Sequence, residues 1–420
     1  MVSLQEADAG TRFGGSFAAG DQDGDGCTDV LFGGCGTDVD QGISVLHAGP
    51  ILGRFDEESE RADTNWAATL TGRAGDSAMY PASGDVNGDG LADWVIGGYG
   101  IAEDLGGAYV VYGPVYGNLH LWPQADAILL GDGENTGVDN NECMDLNGDG
   151  LSDLLISAPG FAIDQTRYSG IYVVDSPVSG VHSLAEADAV YYAGDYASQE
   201  LWVAGAFSAG GDMNGDGLND VALSSTCVDG AAWLVLSPRS GLVALTDADA
   251  TILGHAYARG PGGISSGRDV DGDGHGDLIV GLSGASNVQG RAYLFHGPLA
   301  GDYSFTEADA TVWAPGDLAR VGHSVSLEQD MDGDGRADVA IGAPGALGAP
   351  HRGAVFLFYE PFLGTVNAFD EAEAVLYCDH EDLIPATGYY LDPAGDVNGD
   401  GFDDLHVGTD PDVIFFGGPR

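Results

Sequence analysis

The sequence predicts an all-β fold, a seven-bladed β-propeller of four-stranded blades, as a single domain over residues 1–420. Three observations predict it. A nine-residue acidic pattern recurs seven times, starting at Asp21, Asp85, Asp145, Asp212, Asp269, Asp330 and Asp396. Successive starts lie 64, 60, 67, 57, 61 and 66 residues apart, near a seventh of the chain. Each period also carries the same four short apolar segments. A supersecondary unit repeated at such a period buries its apolar faces by stacking on its neighbours, and four strands in each of seven units is the propeller arrangement.

The nonapeptide is best seen as DMDGDGRAD, Asp330 to Asp338. Carboxylates alternate at Asp330, Asp332 and Asp334, Asp338 closes the pattern, and Gly333 and Gly335 allow a turn too tight for side chains. Calcium takes six to eight oxygens, which a loop with side chains at positions 1, 3 and 5, a carbonyl at 7 and a closing carboxylate largely supplies. The closing acid stands at position 9 and a short apolar run follows, so the loop leads into a strand. The predicted ligands are therefore Asp21, Asp23, Asp25, Cys27 and Asp29; Asp85, Asn87, Asp89, Leu91 and Asp93; Asp145, Asn147, Asp149, Leu151 and Asp153; Asp212, Asn214, Asp216, Leu218 and Asp220. The last three loops add Asp269, Asp271, Asp273, His275 and Asp277; Asp330, Asp332, Asp334, Arg336 and Asp338; and Asp396, Asn398, Asp400, Phe402 and Asp404. Position 3 alternates between Asp and Asn, either of which offers an oxygen. Position 7 varies freely, as expected if only its carbonyl is used. An Asp/Gly-rich turn without metal explains one such loop but not seven with the same ligand positions, so about seven Ca2+ ions are expected.

The four apolar segments follow in order. The first, as in Phe13 to Ala19, Leu201 to Ala209 and Val321 to Leu327, is rich in small residues, which suits strands crowded about an axis. The second leaves the loop (Val30 to Gly33, Trp94 to Gly97, Leu278 to Gly281, Val339 to Gly342) as an uninterrupted apolar run, the mark of a strand buried on both faces. The third (Ile43 to His47, Ala108 to Tyr112, Ile171 to Val174, Ala232 to Leu236, Ala292 to His296, Val355 to Tyr359, Val413 to Phe416) soon reaches a proline. Its aromatics Tyr109, Tyr172, Trp233, Tyr293 and Phe356 could line a sugar-stacking stripe, but recurrence at one repeat position favours packing between sheets. The fourth follows an acidic lead-in at 6–9, 124–127, 186–189, 247–250, 307–310 and 371–374, with a weaker copy at 61–64. Alternating acid and small residues fit an outer edge strand, where charge discourages pairing with other molecules. Because the chain starts with a fourth-type segment and ends with a third-type one, residues 3–12 are expected to complete the blade formed by 386–418.

Composition narrows the partners. A net charge of -53, with 13 Arg and no Lys, excludes nucleic acid and anionic membranes, which require cationic patches. Seven divalent ions would add 14 charges and leave about -39, the mark of a heavily solvated surface or of a high-salt habitat. No run of 18 apolar residues spans a membrane. Residues 1–10 lack the basic and apolar regions of a signal peptide. Among the five cysteines, Cys27 and Cys35 flank one predicted strand and could bridge or stay as buried thiols; Cys143, Cys227 and Cys378 are scattered.

The loops with their flanks, as in VGHSVSLEQDMDGDGRADVAIGAPG from Val321 to Gly345, resemble the FG-GAP repeats of integrin α-subunit head domains, over essentially the whole chain. The resemblance implies a seven-bladed propeller with calcium loops between the first and second strands of a blade, on the face opposite the usual ligand-binding one. All seven repeats keep the metal loop, whereas the integrin head keeps it in only some, and no leg domain or membrane segment follows. Phe-Gly survives at Phe13 and Gly14 but is altered at Tyr80 and Pro81. The uniform repeats and Arg-only basic residues look more like bacterial extracellular FG-GAP proteins.

Catalytic signals are sparse. Gly-x-Ser-x-Gly occurs at Gly263 to Gly267, but Ser265 falls in a first strand with no helix after it, unlike a hydrolase elbow. The ten histidines are dispersed; His296 and His323 lie within repeat strands. The expectation is a monomeric, extracellular or cell-surface, non-catalytic binding or adhesion module for a protein or glycan, with structural calcium in each blade and no membrane insertion. It would present loops such as Ala158 to Ser169, Tyr192 to Glu200 and Ala343 to Arg352. The alternative is a hydrolase or lyase of extracellular polymers, for which an acidic pair remote from calcium and from salt bridges is the discriminating feature.

Overall fold

A computed structural model describes residues 2–3, 12–35, 42–51, 66–76, 79–101, 105–131, 140–163, 166–195, 206–225, 231–237, 239–254, 262–285, 289–316, 318–347, 353–359, 361–377, 387–408 and 413–420. The lead-ins at 6–9 and 61–64, residues 201–205 of one first segment, and the later parts of the loops expected at 192–200 and 343–352 lie outside the described residues. The fold is the all-β, seven-bladed propeller, with sheets of four or five strands.

The chain divides into two compact units, one of residues 1–198, 239–244 and 394–401, the other of 199–238, 245–393 and 402–420. The first unit holds three five-stranded blades. Blade 1 starts from Arg12–Gly20, Asp29–Cys35, Gly42–His47 and Trp66–Thr71; blade 2 from Tyr80–Gly84, Asp93–Gly98, Gly107–Val111 and Ala127–Leu130; blade 3 from Asn141–Met144, Asp153–Ile163, Thr166–Val174 and Ala189–Asp195. The second unit holds blade 4 (Ala206–Ala209, Val221–Ser225, Ala231–Val235, Ala250–Leu253), blade 5 (Ile264–Ser266, Leu278–Leu282, Arg291–Phe295, Ala310–Trp313) and blade 6 (Val325–Ser326, Val339–Ala343, Ala354–Phe358, Ala374–Leu376). In the last repeat Asp404–Val407 pairs with Val413–Phe415. Of the segment expected to complete that blade, only Val2–Ser3 is described, as a strand, and residues 4–11 lie outside the described residues.

Two expectations are corrected. The fourth strand is not the outer edge in five of the blades. A four-residue strand from the following repeat adds outside it in parallel: Gly117–His120, Gly180–Ser183, Gly241–Ala244, Gly301–Ser304 and Gly364–Asn367. The acidic lead-in is also not an edge strand. Its first acid ends a helical turn, as at Leu184–Glu186, Leu245–Asp247 and Phe305–Glu307, and the rest is not helical. Its last acid turns inward to accept the backbone N–H at the end of the third strand: Asp126 from Tyr112, Asp188 from Asp175, Asp249 from Leu236 and Asp309 from His296, each at 2.9 Å. The strand begins only after that acid, because its oxygen is needed to satisfy a backbone donor that would otherwise lack a partner.

The second strands are buried throughout, as the uninterrupted apolar runs predict. Tyr109, Tyr172, Trp233, Tyr293 and Phe356 are buried between sheets, which settles them as packing residues. Inner strands approach closely enough for serine hydroxyls to bond the neighbouring backbone, as Ser324 does to Gly388 at 2.9 Å. Glycine is required at such approaches. A Cβ on Gly84 would lie 2.7 Å from Cys143 Cβ, and one on Gly281 would collide with the Gly322 carbonyl. Gly281→Ala is therefore expected to cost about 1–3 kcal/mol, read as a lower urea midpoint.

Candidate metal centres

Each nonapeptide connects the first and second strands of its blade. Glycines at positions 4 and 6 hold φ between 76° and 93° (Gly24, Gly26, Gly88, Gly90, Gly148, Gly150, Gly215, Gly217, Gly272, Gly274, Gly333, Gly335, Gly399, Gly401), a region that Cβ-bearing residues avoid. That winding turns the amides of both glycines onto the carboxylate at position 1. Asp21 accepts from Gly24 at 2.7 Å and Gly26 at 3.0 Å; Asp330 does so from Gly333 and Gly335, and Asp396 from Gly399 and Gly401. Position 3 accepts from the amide of position 5, as Asn87 does from Asp89 at 2.8 Å, and position 5 from that of position 7, as Asp89 does from Leu91 at 2.9 Å. These turns fix the side chains with lone pairs to spare.

The loops that carry Asp at position 3 bring their acids together most tightly. Asp21, Asp23 and Asp29 offer oxygens within 4.8 Å of one another, as do Asp269, Asp271 and Asp273, and Asp330, Asp332 and Asp338. In the loops with Asn, the side-chain amide turns toward an acid instead: Asn87 to Asp93 at 3.3 Å and Asn214 to Asp216 at 2.9 Å.

Position 9 has a second task that the spacing did not reveal. Asp29, Asp93, Asp153, Asp220 and Asp277 are buried, and each uses one oxygen for the amide at position 2 and the other for an amide just before the proline that follows the third strand. Asp153 takes Leu146 N–H at 3.1 Å and Ser176 N–H at 3.0 Å; Asp277 takes Val270 at 2.7 Å and Gly297 at 2.9 Å. Asp404 likewise takes Gly417 at 2.8 Å. The closing acid thus staples the loop to the third strand.

Electrostatics separate the rim from the floor. Burial pushes Asp29, Asp93, Asp153, Asp220 and Asp277 up to about 6, against the pull of their backbone donors. Asp338 is pushed to about 7 by burial, with Asp332 and Asp330 adding to it. Burial would also raise Asp212, but the amides of Gly217, Gly215 and Asp216 outweigh it and hold its carboxyl below the ordinary value. A cation would reverse the cost on the floor residues. The residues fit one: Asp338 is fully buried and its Oδ1 has no hydrogen-bond partner, an orphaned acceptor inside a converging acid cluster.

Consecutive loops within each compact unit are linked. The amide at position 8 donates to the position-1 carbonyl of the preceding loop: Ala92 to Asp21 at 2.9 Å, Ser152 to Asp85 and Gly276 to Asp212 at 2.8 Å, and Ala337 to Asp269, Asp403 to Asp330 and Thr28 to Asp396 at 3.2 Å. This register lays the position-7 side chain over the preceding loop. Two loops already carry a nitrogen side chain against an acid: His296 Nδ1 lies 3.2 Å from Asp271, and Arg420 pairs with Asp332 while stacking on Tyr359.

Outside the loops, Ser265 is buried and its hydroxyl accepts the amide of Leu327 at 3.1 Å, binding one inner strand to the next. His323 is held against Tyr389 with ring centroids 4.2 Å apart. Glu328 is pushed to about 7 by burial, with Asp392 raising it further and Arg268 lowering it. Asp392 bonds His406 at 2.9 Å and Arg268 bonds Asp403 at 3.2 Å, so this acidic pair sits among ion pairs. Cys27 and Cys143 are free thiols, so no bridge forms from Cys27; the Cys35 side chain, Cys227 and Cys378 lie outside the described residues. The expected loop at 158–169 is mostly a hairpin, Asp153–Ile163 against Thr166–Val174, where Phe161, Tyr168 and Tyr192 cluster with centroids 5.1 to 6.2 Å apart.

Residues 143–174 and 321–358 match the FG-GAP repeat family. Over 190 residues the chain is 30% identical to integrin alpha-PS5 of Drosophila melanogaster, covering 43% of this chain and 18% of that protein. It is 31% identical over 169 residues to human phosphatidylinositol-glycan-specific phospholipase D (37% and 19% covered), and 30% identical over 168 residues to integrin alpha-5 of Xenopus laevis (37% and 15% covered). The chain spans less than a fifth of the length of these relatives. No helix among the described residues is long and apolar enough to cross a membrane.

Proposed function

Starting from an integrin-α-like FG-GAP propeller, we propose that the seven blades, residues 1–420, work as one monomeric, calcium-stabilised binding module outside the cell or at its surface, without catalysis of its own. In each loop the side chains at positions 1, 3 and 5, the carbonyl at 7 and the acid at 9 would hold the ion. Calcium would supply the positive charge that these acids lack and fix the turn from the first strand to the second. The observation that carries the reading is the convergence of Asp330, Asp332 and buried Asp338, with Asp338 Oδ1 unpartnered.

The relatives named integrins support a surface-binding role, and a protein or glycan is the partner class. The relative named as a phospholipase matches over only 19% of its length. Glu328 and Asp392 lie among Arg268, Asp403 and His406, which supports a module over a polymer hydrolase. Glycan and protein arrays probed in calcium and in EGTA test the proposal. Binding to one ligand class in calcium, lost in EGTA and unaccompanied by turnover of the ligand, is expected; cleavage of a bound polymer would overturn the non-catalytic reading.

A further inference from the structure

We infer that Leu91, Leu151, His275, Arg336 and Phe402, each at position 7 of its loop, besides lending a carbonyl to their own ion, set the ion affinity of the loop in the preceding blade. The inference rests on the calcium reading above. It is carried by a contact that recurs with different chemistry. A Cβ on the position-4 glycine would lie 3.1 Å from Leu91 Cδ2 at Gly24, 2.8 Å from Leu151 Cδ2 at Gly88, 2.8 Å from His275 Cε1 at Gly215 and 2.7 Å from Phe402 Cε1 at Gly333. At Gly272 the neighbour is a charge, Arg336 Nη2, at 3.1 Å.

The backbone enforces this placement. The amide next to each of these residues, at position 8, is bonded to the position-1 carbonyl of the preceding loop, so the side chain has little freedom to lie elsewhere. Leu91 and Leu151 lay hydrocarbon against Gly24 and Gly88 of loops 1 and 2 and add no charge to the acids there. Arg336 covers loop 5, where Asp269, Asp271 and Asp273 converge, with a permanent positive charge. A guanidinium there stabilises the acids in the absence of metal and repels an arriving dication. Loop 5 is thus weakened by a residue of blade 6, as the Arg420 guanidinium on Asp332 weakens loop 6.

The decisive experiment is hydrogen exchange of loop peptides across a calcium titration, on the full chain, with Arg336→Leu and Leu151→Arg compared with the unsubstituted protein. Arg336→Leu is expected to lower the calcium midpoint of loop 5 (269–277) by about tenfold, the effect of a unit charge beside a dication in a half-solvated site. The midpoint of loop 6 (330–338), which contains the substitution, should stay within about twofold because no charge is added to or taken from its cage. Leu151→Arg should raise the midpoint of loop 2 (85–93) to a similar degree. An unmoved loop 5, or a larger change in loop 6 than in loop 5, overturns the inference while the calcium reading stands. Absence of calcium-dependent protection in every loop overturns both.

Discussion

Withdrawing calcium with EGTA is expected to lower the melting temperature by about 10 °C. A site with a dissociation constant near 0.1 mM, exposed to calcium near 1 mM, contributes roughly 1.4 kcal/mol. Seven independent sites sum to about 10 kcal/mol, comparable with the whole stability of an ordinary domain. For a chain of this length the unfolding entropy is about 0.9 kcal/mol per kelvin, which converts that sum to the stated shift. That affinity already contains the relief of repulsion: in loops 1, 5 and 6 acid oxygens lie within 4.8 Å of one another, where a like-charge pair costs a few kcal/mol at an effective dielectric near 20. Scanning calorimetry in calcium, in EGTA and after calcium is restored measures the shift. An unchanged transition in EGTA would show that the loops do not need the ion.

The second large effect separates the floor of a loop from its rim. Asp149 is exposed and accepts only the amide of Leu151, so Asp149→Ala should cost about one ion's contribution, near 1.4 kcal/mol, and nothing further in EGTA. Asp153 is fully buried and satisfies the amides of Leu146 and Ser176. Asp153→Ala leaves two buried donors unpaired at about 1–3 kcal/mol each. Its cost should therefore be about 2–6 kcal/mol in EGTA, with one ion's contribution, near 1.4 kcal/mol, added in calcium. Urea denaturation of both variants in the two buffers distinguishes the roles. If the Asp153→Ala penalty disappeared with calcium, position 9 would be a ligand and no staple.

The loops and the second and third strands were legible because their signals are local. An acid, glycine and acid spacing dictates a turn, and Trp94 to Gly97 or Ala232 to Leu236 leaves no polar face. The outer parallel strand was missed because its four residues, such as Gly180–Ser183 or Gly301–Ser304, are largely exposed and carry no alternating pattern. A signal was nonetheless present. Each of these strands begins at a glycine three residues after proline: Gly117, Gly180, Gly241, Gly301 and Gly364, all with positive φ. The acid of the lead-in was misread for a related reason, since alternation with alanine suggests an edge, whereas its partner is a backbone amide 13 or 14 residues earlier. The stapling role of position 9 and the cover supplied by position 7 were hidden because both depend on residues from another part of the chain.

The borrowed outermost strand means that one repeat of this sequence is not a self-sufficient folding module. Cutting between Pro238 and Arg239, outside any loop signal, would still strip Gly241–Ala244 from the blade upstream and expose the hydrogen-bonding edge of Ala189–Asp195. Growth or loss of repeats by recombination must therefore carry each crossover past the connecting glycine strand, or leave behind a sheet with a bare, adhesive margin.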